Sequence, residues 1–241
     1  MIDATAFRKF LERIHNECLF DEKPLYQKNV FSEPVATWDD VNTVINFNRG
    51  VVDIIDSNGD RVDIPALKYF WSSKILQSKV EIAKQIAQGN CFSISQCFYL
   101  NEPVNYILAL LEDRFDLICD AHLYGGISGD ANSFHPHVDI PSNFIIQLDG
   151  DTPWTIYKNT ASDMYPQEYI NSYRSLDCLE PEIEVILSPG DMLYIPPRRY
   201  HKARPSGKRL SLSIPAASKK YTNATPIDRQ MYDITKGCSL S

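Results

Sequence analysis

Apolar positions follow two different rhythms along the chain, and the change falls near residue 116. Before it, three stretches show helical spacing. Phe7, Phe10, Leu11, Ile14 and Cys18 share one side of a helix predicted over about Asp3–Leu19, with Asp3 or Thr5 as its cap. Ile75, Val80, Ile82, Ala83 and Ile86 predict a second helix over roughly Ser73–Gln88, and Val104, Ile107, Leu108 and Leu111 a third over Pro103–Phe115. Extended segments lie between them: Lys23–Val30 reads as a strand and Cys91–Phe98 alternates like one. Thr37-Trp38-Asp39-Asp40 has the form of a helix start, with Thr37 in the capping position and Asp40 three residues on. Turn signals at Asn48-Arg49-Gly50 and Asn58-Gly59 flank Val51–Ile55, predicting a hairpin whose second strand is Arg61–Ile64.

From Leu117 the pattern becomes short strands separated by Gly, Pro, Asn and Asp. Strands are predicted at Leu117–Tyr124, at Asn143–Leu148, across the Asp149-Gly150-Asp151 turn through Trp154, Ile156 and Lys158, at Glu182–Leu187, at Met192–Ile195 and at Lys208–Ile214. The long connection Tyr157–Pro181 carries Tyr165, Tyr169 and Tyr173 at four-residue spacing, read as one buried helix stripe rather than a substrate platform. Short strands with such turns suit a jelly-roll barrel. The expected fold class is therefore α+β, a barrel with N-terminal helices and flanking strands. Residues 1–116 form a module packed on the barrel, 117–221 its core and 222–241 a tail, all within one compact domain. The tail either packs back on the barrel or joins a homodimer contact.

Charge and cysteine usage narrow the function classes. A formal net charge of −7 argues against a general nucleic-acid binder, because phosphate binding needs a basic face, and better suits a basic peptide or protein. The six cysteines, Cys18, Cys91, Cys97, Cys119, Cys178 and Cys238, form no paired spacing and read as reduced thiols of a cytoplasmic protein. No signal peptide and no membrane-spanning apolar run are expected.

The candidate chemistry lies in Ser133–Lys158. Alternation puts His137 and Asp139 on one side of an extended backbone. His201 follows the strand that ends at Pro196-Pro197. Two histidines and one carboxylate on one side of an ion, with its other positions open, is the ligand set of non-haem Fe(II) oxygenases. His135 shares the parity of His137 and competes as a ligand, or else supports the site or a substrate; His122 either bonds within the barrel or contacts a co-substrate; His15 reads as a surface residue.

These residues sit within a longer pattern: Lys23-Pro24-Leu25, Thr37-Trp38, Leu123-Tyr124, His137-Val138-Asp139, Asn143-Phe144, Gln147-Leu148-Asp149-Gly150, Trp154, Pro189-Gly190-Asp191, Leu193-Tyr194-Ile195-Pro196 and His201. On that pattern the chain resembles the JmjC-type, cupin-fold 2-oxoglutarate oxygenases, and among them it is similar to the ribosomal-protein hydroxylases and the asparaginyl hydroxylase of the hypoxia response. The resemblance implies a double-stranded β-helix and hydroxylation of an unactivated C–H bond. It also implies Fe(II), 2-oxoglutarate and O2, with His137, Asp139 and His201 as catalytic metal ligands. Asn143 matches an asparagine that helps hold the co-substrate. The ribosomal relatives tend to carry Lys or Arg two residues after the turn glycine, where this chain has Thr152, so the far carboxylate of 2-oxoglutarate needs another partner. Arg209 is the first candidate, since Arg209, Ser211 and Ser213 share a face opposite Leu210, Leu212 and Ile214. Lys158 is the second, and Tyr124 adds a hydroxyl; Arg198 and Arg199 are expected at the mouth. The implied substrate is a protein or peptide side chain, with a free amino acid or other small molecule as the alternative. Two further readings stay open: a non-catalytic cupin used for binding or assembly, with Thr152 marking a lost pocket, and a metal-dependent cupin that uses no 2-oxo acid.

Overall fold

The computed structural model describes residues 4–17, 22–47, 50–68, 75–128, 133–161, 179–204 and 207–218. The first half runs α1 (Thr5–Glu17), β1 (Leu25–Gln27), α2 (Trp38–Phe47), β2 (Val51–Ile55), β3 (Arg61–Val62), β4 (Ala66–Lys68), β5 (Ile75–Gln77), α3 (Lys79–Ala87), β6 (Cys91–Ser95) and α4 (Glu102–Phe115). The second half is all strand: β7 (Leu117–Cys119), β8 (His122–Gly126), β9 (Ser142–Asp149), β10 (Thr152–Thr160), β11 (Pro181–Leu187), β12 (Met192–Ile195), β13 (Arg199–Ala203) and β14 (Arg209–Ser218).

Two sheets enclose the site. A nine-stranded sheet has the order β1-β12-β9-β14-β8-β6-β2-β3, with β7 paired to β14, and a three-stranded sheet has the order β11-β10-β13. All of the barrel pairings are antiparallel, so one face of each strand can be buried apolar while the other does different work. In β9, Phe144, Ile146 and Leu148 join Phe7, Phe10, Val104, Ile107 and Leu111 of α1 and α4 in the main core, together with Leu210, Leu212 and Ile214 of β14. The opposite faces turn inward. Ile145, Leu193 and Ile195 meet Ile156 and Leu187 of the small sheet in a second apolar cluster, while Asn143, Arg209, Ser211 and Ser213 line a cavity. The strict alternation of β9 and β14 is thus a division of labour between holding the helices and lining the site.

Local chemistry explains several element ends. Asp40 accepts from the Thr37 backbone N–H at 2.8 Å and the Thr37 hydroxyl at 3.2 Å, closing the start of α2. Asn101 caps α4 through Val104 N–H at 2.9 Å. Trp38 of α2 donates from Nε1 to Asp149 Oδ2 at 2.7 Å, pinning that helix to the β9–β10 turn. Gly190, at φ +90°, lies so close to Phe31 that a Cβ there would sit 2.2 Å from its carbonyl oxygen. The next residue, Asp191, is buried and accepts from Tyr26 OH, Asn29 N–H and Ser188 N–H, which locks the turn ahead of β12.

The elements differ from the sequence expectations where a polar residue or a short strand intervenes. Leu117–Tyr124 is two strands, broken where the Ala121 amide turns to the Asp120 carboxylate, although the Asp120 amide still donates to Pro215 O of β14. Ile75 belongs to β5, and α3 starts only after Ser78, whose hydroxyl accepts from Glu81 N–H. Strand β13, which carries His201, has no counterpart in the sequence reading. Strands β1, β2, β3 and β6 of the first 116 residues hydrogen-bond into the same sheet as the barrel strands. Asp3, Cys18, the Tyr165–Tyr173 stripe and the tail lie outside the described residues.

Candidate metal centre

Backbone pairing assembles the cluster. His137 lies between β8 and β9, outside any strand, yet its N–H donates to His201 O at 3.1 Å and its carbonyl accepts from His201 N–H at 2.9 Å. Arg198 N–H donates to Asp139 O at 2.7 Å, so the histidine-aspartate segment is stitched to β13 at two points. On its other side β13 pairs with β10, placing Ile156 opposite His201. Potential ligand atoms of His137, Asp139 and His201 consequently lie within 4.8 Å of one another, the only such group among the described residues.

Each ligand atom is aimed by a hydrogen bond. His137 Nδ1 donates to His135 O and His201 Nδ1 to Arg199 O, both at 2.8 Å, so each ring has a proton on Nδ1 and turns Nε2 toward the cluster. Asp139 Oδ2 accepts from Asn143 Nδ2 at 2.7 Å and lies 3.5 Å from His201 Nε2. Asn143 in turn accepts from the Ser213 hydroxyl at 3.3 Å. Burial, and next to it the neighbouring His201, pushes His137 down to about 4 against the pull of Asp139, which keeps the imidazole neutral as a ligand must be.

The cluster opens on a cavity of about 550 Å³ including its mouth. Tyr124, Asn143, Thr152, Trp154 and Arg209 line it together with Phe134 and Ile145. Arg209 is 3% exposed, and its one hydrogen-bond partner among the described residues is Cys91 Sγ, 3.3 Å from Nη2. Its Nη1 is buried with no partner, as is Thr152 Oγ1. A buried cation that faces a cavity and forms no ion pair among the described residues favours an anionic ligand there. Burial raises the Tyr124 pKa, helped by the Asp139 and Asp53 carboxylates, so its phenol stays a neutral donor.

Other residues singled out from sequence lie elsewhere. Lys158 is exposed and paired with Glu180, which corrects its reading as a co-substrate ligand: the ladders of β10 with β11 and β13 both become irregular beyond Ile156, and Lys158 does not line the cavity. Arg199 holds Glu182 at 2.8 Å and Lys158 O at 2.9 Å, tying strands together rather than guarding the mouth, and Arg198 is buried. His122 bonds Asp120 at 3.1 Å within the large sheet. The His135 ring faces the β2–β3 turn, where a Cβ on Gly59 would sit 3.2 Å from its Nε2; its carbonyl, rather than its ring, serves the centre. Sequence reasoning overlooked Phe134, whose ring centroid lies 5.7 Å from that of His137 and 6.4 Å from that of Tyr124, and it assigned no chemistry to Cys91.

A three-stranded sheet closed over a larger one, with a His-Asp-His cluster on the inner wall, defines a double-stranded β-helix of the cupin class. The chain belongs to the JmjC family, whose domain model matches residues 100–224. It is 32% identical over 99 residues to ribosomal oxygenase 1 of Gallus gallus, covering 41% of this chain and 16% of that protein. It is 31% identical over 126 residues to the bifunctional lysine-specific demethylase and histidyl-hydroxylase NO66 of Dictyostelium discoideum, covering 52% of this chain and 24% of that one. The chain therefore spans a quarter or less of the length of these curated relatives. Among solved structures, the ribosomal oxygenase YcfD of Escherichia coli in complex with cobalt and 2-oxoglutarate shares the fold at a TM-score of 0.58 and 18% identity, over 100% of this chain and 60% of that one. No helix among the described residues is long and apolar enough to cross a membrane.

Proposed function

We propose that the protein is an Fe(II)- and 2-oxoglutarate-dependent oxygenase that hydroxylates a side chain of a protein or peptide. The observation that carries this reading is a pairing within one cavity: a His-Asp-His cluster with both Nδ1 atoms bonded to backbone carbonyls and Nε2 left to the cluster, and a buried arginine whose Nη1 has no partner. An ion needs the first and a dicarboxylate the second. The donor set fits iron, because imidazole and carboxylate suit a first-row divalent ion and three protein ligands leave positions open.

In this reading His137 and His201 present their Nε2 atoms to the ion, and Asn143 fixes the carboxylate of Asp139 so that one oxygen faces them. Arg209 Nη1 receives the far carboxylate of 2-oxoglutarate, with the neutral Tyr124 phenol of the same sheet and the Thr152 hydroxyl of the opposite sheet as further donors. When bound, iron with 2-oxoglutarate and O2 supplies the oxidation, one oxygen atom ending in succinate as CO2 leaves and the other in the new hydroxyl group. The surrounding Trp154, Ile145 and Phe134 exclude water. Support for a protein substrate comes from the names of the relatives, a ribosomal oxygenase and a histidyl-hydroxylase, and from the net charge of −7, which suits basic partners.

The test is twofold. Titration calorimetry with 2-oxoglutarate in the presence of Mn(II) should show one site per chain, and Fe(II)-loaded protein should convert 2-oxoglutarate to succinate in air. Asp139→Ala should abolish that conversion. Full succinate formation by the variant, or the absence of any 2-oxoglutarate binding by the natural protein, overturns the reading.

A further inference from the structure

Three consecutive positions of one cross-strand row lie beside the cavity. Arg209 of β14 is opposite Gly126 of β8, and the register of β6 on β8 and on β2 puts Cys91 next to Gly126 on the far side. Gly126 has no side chain to separate its neighbours. A Cβ built on it would come within 3.2 Å of Cys91 Sγ. The guanidinium of Arg209 therefore reaches across the glycine to the sulfur, and the 3.3 Å contact engages Nη2 while Nη1 has no partner. Cys91 is 3% exposed and is packed by Ile55 and Phe134, so the sulfur has a fixed position.

The geometry points to Cys91 as the positioning residue of the co-substrate anchor: its sulfur holds one arm of Arg209, so that 2-oxoglutarate meets a single guanidinium arm, supplemented by hydroxyl groups, rather than a two-pronged fork. The inference rests on the oxygenase reading above. A sulfur is a weak acceptor that polarises the guanidinium little, which leaves the positive charge available to the ligand while fixing its direction. Gly126 is the second member of the device, because a Cβ there would press on the Cys91 sulfur at 3.2 Å and displace it from Arg209.

Two variants probe it without altering Arg209. With Mn(II) bound, Cys91→Ala should raise the 2-oxoglutarate Kd about threefold to tenfold, the scale of one neutral hydrogen bond. Cys91→Ser, which restores an acceptor, should recover most of that loss. Gly126→Ala should weaken 2-oxoglutarate binding in the same range with both partners still present. In each case the Mn(II) Kd and the rate of succinate formation at saturating 2-oxoglutarate should stay at the natural values, the split that marks anchoring rather than general damage. An unchanged Kd in Cys91→Ala, or equal losses in the Ala and Ser variants, overturns the inference. Failure of the natural protein to bind 2-oxoglutarate at all would instead overturn the oxygenase reading, so the two failures are distinguishable.

Discussion

Arg209→Met removes a guanidinium that is 3% exposed while keeping most of its volume. In the ligand-free protein that guanidinium is a burden. Its Nη2 meets the Cys91 sulfur and its Nη1 has no partner. An unpartnered buried polar group costs about 1–3 kcal/mol, and more when charged. Relief of that cost should raise the melting temperature, since 1 kcal/mol corresponds to about 2–4 °C in a chain of this size. We expect a gain of at least about 2 °C by scanning calorimetry without added ligand. Binding should move the other way. A hydrogen bond to a charged group contributes about 1.5–3 kcal/mol, so the Kd for 2-oxoglutarate, measured by titration with Mn(II) present, should rise about 10- to 150-fold. The opposite signs are the point of the experiment. A variant that melts several degrees lower, or that binds 2-oxoglutarate within about twofold of the natural protein, would refute the assignment of Arg209 as an anchor kept at the expense of stability.

Further outcomes can be stated briefly. Asn143→Ala removes the 2.7 Å bond that aims Asp139 and should weaken Mn(II) binding about 10- to 100-fold, read by calorimetry, with a melting temperature close to natural. Because His137 is depressed from 6.5 to about 4 in the fold, its contribution to stability is whole above pH 6.5 and drains away as pH falls toward 4; urea midpoints of metal-free protein should drop across that window, and less so in His137→Gln. Gly190→Ala should destabilise by about 2 kcal/mol or more in urea titrations, since a Cβ would sit 2.2 Å from Phe31 O and disturb the bonds that Val30 and Phe31 amides donate to Gly190 O.

Much of the barrel was legible because antiparallel strands with different faces leave a period-two trace. The alternation of Arg209, Ser211 and Ser213 with Leu210, Leu212 and Ile214 named both the face that meets the helices and the face that lines the cavity. Lys158 departed from the same rule, since the ladders on both sides of β10 become irregular beyond Ile156 and such irregularity leaves no mark in composition. Strand β13 was hidden for another reason. Arg199-Tyr200-His201-Lys202-Ala203 is polar and follows two prolines, and it is extended because of the partners on either side rather than its own propensity. Cys91 was invisible as a contact of Arg209 because adjacency across three strands depends on register, which a single sequence does not display.

The mutual backbone pairing of His137 and His201 bears on how the protein meets a changing supply of metal. Both residues are held by amide and carbonyl bonds that owe nothing to an ion. Loading and unloading should then proceed without dismantling the barrel, and occupancy should follow the free iron concentration directly. Chains synthesised during scarcity would stand as folded, empty vessels and recover as soon as the metal returned, without new synthesis.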